Sequence, residues 1–507
     1  MKRINKIFVA ITTSFLLNGC FSLDQTPYDS LITENVSTKQ DADFWVNGMY
    51  VLLRDNVQGK PMYLSDIQAD YLNRTLIGSI QPSWNDVHTW NYFVASDGNT
   101  AAIWKNYYLI IQNINAALEG IDKIIESGTE SDIDGLNTDR GELLLGRAYC
   151  YSYLVTHFCK AYNETSATTD LGLPILDKIT VKNFPARSTL KQTYEFILSD
   201  IAQAKTLLEG KTGSAGATSF TIDAAKALQA RVLLYKNEWQ QAYGVAKSLI
   251  DAGAYPLATT QSGLESIWYN DDNQESITQL FTGLVNGNDT EVLSSVNDIY
   301  LDETSFFGMT SINPQVVPTQ YFVDLFDNSD FRKNVFIEQK EVEYLGNYYS
   351  LYLVNKYPNN EEMVIPGSFS AISYAHKPKL FRIAEIYLIA AEAAYKKEDN
   401  TNAEYYLNKL RTARGIGSVT YSDLWQEIQN ERNRELAFEG FRLIDIKRWS
   451  LPVTRNTPQN EDFITKDAGT NYYNTLNIPA GYYKMVWPIP PADILLENGV
   501  LEQNTGW

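Results

Sequence analysis

The chain has 507 residues, 44% of them hydrophobic, with 61 acidic against 42 basic side chains and a formal charge of −19. Length by itself allows about two or three domains, and the apolar content supplies material for a large core. So acidic a surface disfavours nucleic acid and anionic membrane faces, because holding phosphate takes clustered Lys and Arg.

Lys2, Arg3 and Lys6 open the chain, residues 7–17 form a short, mostly apolar run, and the run closes on Leu17-Asn18-Gly19-Cys20. A permanent spanning helix needs about 20 apolar residues, so residues 1–19 read as a cleaved signal peptide. Leu-x-Gly-Cys resembles the lipobox of bacterial lipoproteins, whose cysteine becomes the acylated first residue of the mature chain. The resemblance implies lipid attachment at Cys20 and anchoring in outer-membrane lipid without spanning it. Removing residues 1–19 takes away three basic groups and no acid, moving the formal charge from −19 to −22. Residues 20–40, polar over 21–35 and interrupted by Pro27, are expected to be a tether.

From Asp41 the dominant signal is the 3.6-residue period of amphipathic helices. Helices are predicted over 41–54, 100–127 and 139–162, the last with Leu144, Ala148, Tyr151, Val155 and Phe158 on one face. Another is predicted over 188–208, opening on Ser188 as its N-cap. Over 222–252, Ala224, Ala227, Leu228, Arg231 and Tyr235 run up one helix. Lys236-Asn237-Glu238 turns, and Trp239, Ala242, Ala246 and Ile250 run down the next. Residues 378–414 repeat that build around Glu398-Asp399-Asn400. Small residues at the crossing and an aromatic beside the turn suit tetratricopeptide-like helical hairpins. The expected fold is all-α: one body over 41–507, with helix pairs near 41–127, 139–208, 222–252 and 378–414 stacked as a scaffold.

Long irregular excursions are expected over 56–99, 254–378 and 450–507, where loops of such length are usually functional. Many of the 33 tyrosines and 10 tryptophans of the chain fall there, among them Trp84, Trp90, Tyr92, Trp268 and Tyr269, as do Phe306 and Phe307. A flat indole or phenol ring matches the C–H face of a pyranose and leaves the sugar hydroxyls to neighbouring Asn and Asp. Such rings lose little entropy on a binding surface. The bland alternative is that most of them are core.

Chemistry that would transform a ligand finds little support. Residues 431–439 are rich in carboxylates, and Glu431, Arg432, Glu435 and Glu439 project within about 60° of the direction shared by Leu424 and Ile428. Paired acids for glycosidic cleavage compete here with a partly buried ion network, in which Arg432 and Glu435 are spaced to pair. Interleaved arginines would keep the acids ionised, whereas a general acid needs a raised pKa. The three histidines have no metal-ligand spacing, 271–275 lacks the glycine and terminal glutamate of an EF-hand loop and reads as a solvated acidic turn, and no phosphate loop is present. No catalytic residue, cofactor or metal is expected. Cys150 and Cys159 lie nine residues apart in one helical stretch, about 13 Å along its axis, too far to bridge.

Several segments, in order, carry a family resemblance. Cys-Phe-Ser-Leu-Asp-Gln-Thr-Pro opens the mature chain, Asn47-Gly48-Met49-Tyr50 ends a first helix, and Arg140-Gly141-Glu142 leads to Arg147-Ala148-Tyr149. Arg187-Ser188-Thr189, Arg382-Ile383-Ala384-Glu385 and Ala390-Ala391-Glu392-Ala393 follow. Then come residues 431–440, Asp445-Ile446-Lys447-Arg448-Trp449, Trp487-Pro488-Ile489-Pro490 and Gln503-Asn504-Thr505-Gly506-Trp507. Together they span nearly the whole mature chain, which resembles the SusD/RagB family. The resemblance implies a cell-surface lipoprotein that works as a lid over a SusC-like TonB-dependent porin and delivers oligosaccharide into it. It implies helices facing the porin and a ligand surface built from the early and middle excursions. The candidate ligand residues are therefore Trp84, Asn85, Trp90, Tyr92, Trp268, Tyr269 and Asp271. Peptide is the alternative ligand, favouring basic peptides on so acidic a chain. A surface glycoside hydrolase and a purely structural porin component are the readings from other classes.

Overall fold

Short-range capping decides where the helices begin. In the computed structural model, which describes residues 36–507 apart from 79–81, 129, 180–184, 286–288, 291–298, 302, 307–308, 368–371, 456, 466–475 and 497–498, helix α1 (Lys39–Val57) opens on a capping box. The Thr38 hydroxyl accepts from Asp41 N, and the Asp41 carboxylate accepts from Thr38 N at 2.9 Å. Residues 1–35, with Cys20, lie outside the described residues. The tract after α1 is less irregular than expected. It folds into α2 (Lys60–Gln68) and α3 (Pro82–Thr89) before α4 (Gly98–Ser127), which is capped by Asp97 and stopped by Gly128 in the left-handed region.

Helix α5 (Ile133–Phe158) starts six residues earlier than periodicity suggests, because Asp132 accepts from Gly135 N and captures the turn. Helix α6 (Leu190–Leu207) is capped by Thr189, not Ser188. Thr189 has Gln192 three positions into the helix to complete a capping box, while the Ser188 hydroxyl donates to Leu173 O at 2.8 Å. Helices α7 (Ile222–Tyr235) and α8 (Trp239–Ala252) form one hairpin, and α9 (Gln261–Tyr269) follows. The second hairpin is α10 (Ile383–Lys396) with α11 (Asn400–Ala413), and α12 (Leu424–Glu435) and α13 (Arg442–Arg448) complete the scaffold.

The array is continuous and mainly α, with a tetratricopeptide-like build. Helix α1 packs on α4, α4 on α5, α5 on α6 and α6 on α7; α8 packs on α10, which also carries α11 and α12. Alanines set these approaches, with Ala224, Ala227, Ala242, Ala246, Ala390 and Ala394 all buried. The excursions contribute short two-stranded pairings, such as Leu72–Arg74 with Val316–Pro318 and Ser276–Gln279 with Lys379–Arg382. One longer hairpin pairs Ile337–Tyr344 with Asn347–Val354. Cys150 and Cys159 are buried free thiols. Among the described residues no helix is long and apolar enough to cross a membrane.

Candidate functional site

The structure separates the candidate aromatics sharply. Trp90 is 1% exposed and held at a positive φ of 64°, its indole N–H donating to Gln68 O at 3.1 Å. Tyr92, two residues on, is 66% exposed. Trp268 is core, 1% exposed, with Lys356 Nζ, Lys379 Nζ and the Arg382 guanidinium 4.1, 5.3 and 4.9 Å from its ring. Three cations on one indole leave no face for a ligand. Tyr269 donates to Val335 O at 3.1 Å and accepts from Asn355 Nδ2 at 2.8 Å. Asp271 is buried at φ 56° and takes the Lys379 ammonium at 2.8 Å. Burial would raise its carboxyl, but Lys379 and His376 outweigh that and hold it well below the usual range. Glu275 is likewise buried, accepting from Arg414, so 271–275 is an internal ion site with only its middle outside, not a solvated acidic turn. Trp84 and Asn85 belong to α3, and their side chains, like those of Phe306 and Phe307, lie outside the described residues.

Trp90 and Tyr92 instead lead to a shelf assembled from three distant segments. Lys484 Nζ donates to Trp90 O at 2.6 Å and to Asn91 O at 3.3 Å, tying the early excursion to the C-terminal one. Tyr482 lies 6.2 Å from the Trp90 ring and 4.8 Å from Tyr483. Trp507 stands edge-on between Tyr483 at 5.3 Å and Phe93 at 5.0 Å, with its indole N–H donating to Val486 O at 2.8 Å. Gly506 makes this approach possible: at φ 99°, a Cβ there would sit 2.6 Å from the Tyr483 ring. Asn504 locks the terminus by donating to Phe158 O and Trp487 O and accepting from Arg187.

Beside the shelf opens a cavity of about 500 Å³, lined by Tyr482, Tyr483, Lys160, Thr169, Asp170, Ser450 and Thr505 among others. Its volume is in the range of small-ligand sites. Lys160 and Asp170 form an ion pair at 2.8 Å on the rim, and the Ser166 hydroxyl donates to the same carboxylate. Partial burial would raise Asp170; the bonds from Lys160 and Ser166 outweigh it and lower the carboxyl. Lys447 on the cavity wall donates to Thr156 O and Cys159 O, and burial brings its ammonium down to about 8. The arrangement offers ring faces beside hydroxyl, carboxylate and ammonium groups. Tyr482, Tyr483 and Trp507 are not among the candidates read from the sequence; the Tyr482-Tyr483 doublet after Gly481, in an irregular tract, is the signal that could have pointed here.

The carboxylates of α12 have a different use. Glu435 is fully buried, and its two oxygens accept from Arg414, Arg382 and Arg332 at 2.9 to 3.1 Å. Glu439 accepts from Lys356 at 2.7 Å and Arg382 at 2.6 Å. Arg432 does not pair with Glu435 as its spacing allowed; it turns to Asp445 at 3.0 Å, while Glu431 takes Arg434 and Arg332. Burial would raise Glu435 and Glu439, but the surrounding cations prevail and lower both. A general acid needs the opposite shift. The cluster joins α10, α12 and residues 332, 356 and 414 into one ion network.

Known proteins place this architecture. Residues 22–234 match a family model described as starch-binding associating with outer membrane, and residues 315–507 match one described as SusD family. Two SusD-like proteins of Formosa agariphila are 25% and 23% identical, the first over 99% of both chains and the second over 98% of both. A SusD superfamily protein of Bacteroides thetaiotaomicron is similar in fold, with a TM-score of 0.75 and 24% identity over 92% of this chain and 99% of its own. A SusD-like carbohydrate binding protein of Bacteroides vulgatus has a TM-score of 0.73 and 21% identity over 91% of this chain and 97% of its own. The helical array, the family models at both ends and relatives matched end to end agree: the chain belongs to the SusD/RagB family.

Proposed function

We propose that the protein captures oligosaccharide at the bacterial outer surface and hands it to a SusC-like TonB-dependent transporter, anchored through a lipid on Cys20. The carrying observation is the aromatic shelf of Tyr482, Tyr483 and Trp507, bordered by the polar cavity at Lys160 and Asp170, with the exposed Tyr92 next in sequence to the Asn91 carbonyl that Lys484 holds. The rings cover the apolar faces of sugar units, and the rim groups take their hydroxyls. Carbohydrate binding and outer-membrane association accord with the starch-binding family model over residues 22–234. The ionised, arginine-locked glutamates favour binding over cleavage.

Calorimetric titration of the lipid-free chain with a panel of neutral oligosaccharides, products checked for cleavage, tests this reading. Saturable binding of intact glycan, weakened about tenfold or more by Tyr482→Ala and by Tyr92→Ala, supports it. Binding of peptides alone would move the ligand to the other class the family resemblance allows. Cleaved glycan would overturn the binding-only assignment.

A further inference from the structure

A second groove lies on the other hairpin, sharing no residue with the shelf. It runs between α11 and residues 257–259, with Tyr387 of α10 in its wall, and is an open surface groove of about 840 Å³. One face of α11 is spent on the core through Ala403, Tyr406, Leu407, Leu410 and Ala413. The adjacent face sends Thr401, Glu404, Tyr405, Asn408, Lys409 and Thr412 into the groove at the three- and four-residue spacing of a helix.

These groups are organised for a ligand. Tyr405 is 52% exposed, yet its ring is steadied edge-on by Tyr406 at 5.1 Å and has Lys409 Nζ at 5.3 Å. Asn408 pins the far wall, donating to Val419 O at 2.9 Å while its oxygen accepts from Val419 N at 3.1 Å and the Tyr421 hydroxyl at 3.0 Å. Thr412 and Ser418 hydroxyls meet across the groove end at 3.1 Å. The groove is thus pre-formed, which cuts the ordering cost of binding. The Glu404 carboxylate lines it with no ion-pair or hydrogen-bond partner among the described residues. A half-exposed phenol ring beside an uncommitted carboxylate, hydroxyls and one ammonium suits a neutral, hydroxyl-rich chain. An extended acidic or basic segment would find charges of both signs.

We infer that the α10–α11 groove is a second oligosaccharide site, with Tyr405 as the stacking ring and Glu404 as acceptor for sugar hydroxyls. It rests on the carbohydrate reading of the shelf but on separate residues. A chain with two such sites holds one long glycan at two points, or two glycans at once.

The test is titration of the full lipid-free chain with maltoheptaose and with β-linked hexasaccharides, comparing wild type, Tyr405→Ala, Glu404→Gln and Tyr482→Ala. Circular dichroism confirms that each variant is folded. For a saccharide that binds, wild type takes up two per chain. Tyr405→Ala and Tyr482→Ala each leave one, and Glu404→Gln weakens only the site that Tyr405→Ala removes, by roughly tenfold. A stoichiometry of one, abolished by Tyr482→Ala and unaffected at Tyr405 and Glu404, overturns the second site and leaves the shelf intact. Peptide binding that Tyr405→Ala removes, without saccharide there, also overturns it. No saccharide binding by any form sinks the proposed function as well.

Discussion

Glu435 shows how a residue that reads as catalytic in isolation becomes structural once its neighbours are known. Its carboxylate accepts from three arginines that come from residues 332, 382 and 414. Removing one partner from such a buried network leaves uncompensated charge, at a cost of roughly 3–5 kcal/mol. Glu435→Gln is therefore expected to lower the midpoint of chemical denaturation strongly, while any protein that folds still binds saccharide. Retained stability with lost turnover of a glycan would refute that assignment. Acid sensitivity belongs to the same network. Burial opposes ionisation of Glu431, but Arg332, Arg434 and Arg411 hold it at about 2, below its ordinary 4.5. A depressed acid stabilises fully above its unfolded pKa and loses that as pH falls through the folded one, so ~3 kcal/mol disappears between about pH 4.5 and 2. Asp66 runs the other way: burial lifts it from 3.8 to about 7, against the Gly440 N–H it accepts at 2.9 Å. Its raised pKa makes stability fall as pH rises from about 4 to 7. Asp66→Asn is expected to flatten that decline and gain up to ~4 kcal/mol at pH 8, with little effect at pH 4. Urea melts at the two pH values check the sign, and equal gains at both would contradict it.

At the scale of elements, the two helical hairpins solve the same reversal with the same backbone. Each first helix ends two residues before a left-handed residue, Asn237 at φ 65° and Glu398 at φ 66°. Asparagine tolerates that conformation, and Asn237 Nδ2 also donates to Tyr162 O at 3.1 Å. Glutamate has no such excuse, and Glu398 is exposed. Glu398→Gly is accordingly expected to raise stability by ~0.5–1 kcal/mol, read as a higher thermal midpoint. Asn237→Gly loses a hydrogen bond and is expected to gain nothing. The reverse ordering of the two variants would mean that the turn strain is not what separates them.

Across the whole molecule, the C-terminus holds the proposed ligand surface together. Trp507 fills the space between Phe93 and Tyr483, and Asn504 reaches back to the end of α5. Deleting residues 504–507 is expected to preserve far-ultraviolet helicity but to change the near-ultraviolet aromatic signal and cost at least about tenfold in saccharide affinity. Unchanged affinity would move the ligand away from the shelf. The helical scaffold was legible in the chain because periodicity, caps and turns act over a few residues: the hairpins at 222–252 and 378–414 and the loop of alanines at their crossings are local facts. Where local signals competed, only nearby partners could rank them, as when Gln192 gave the cap to Thr189 over Ser188. The fate of each loop aromatic was not local. Trp90 and Tyr92 share a sequence neighbourhood, yet one is sealed by α2 and the other faces solvent. Trp268 was buried by Lys356, Lys379 and Arg382, about a hundred residues away along the chain. The sequence by itself determined the all-α scaffold, its acidic surface and its family resemblance, since these depend on composition, short-range order and motif succession. Tertiary structure alone decided which rings remained available and which charges became core, because burial is set by contacts between segments distant in the chain.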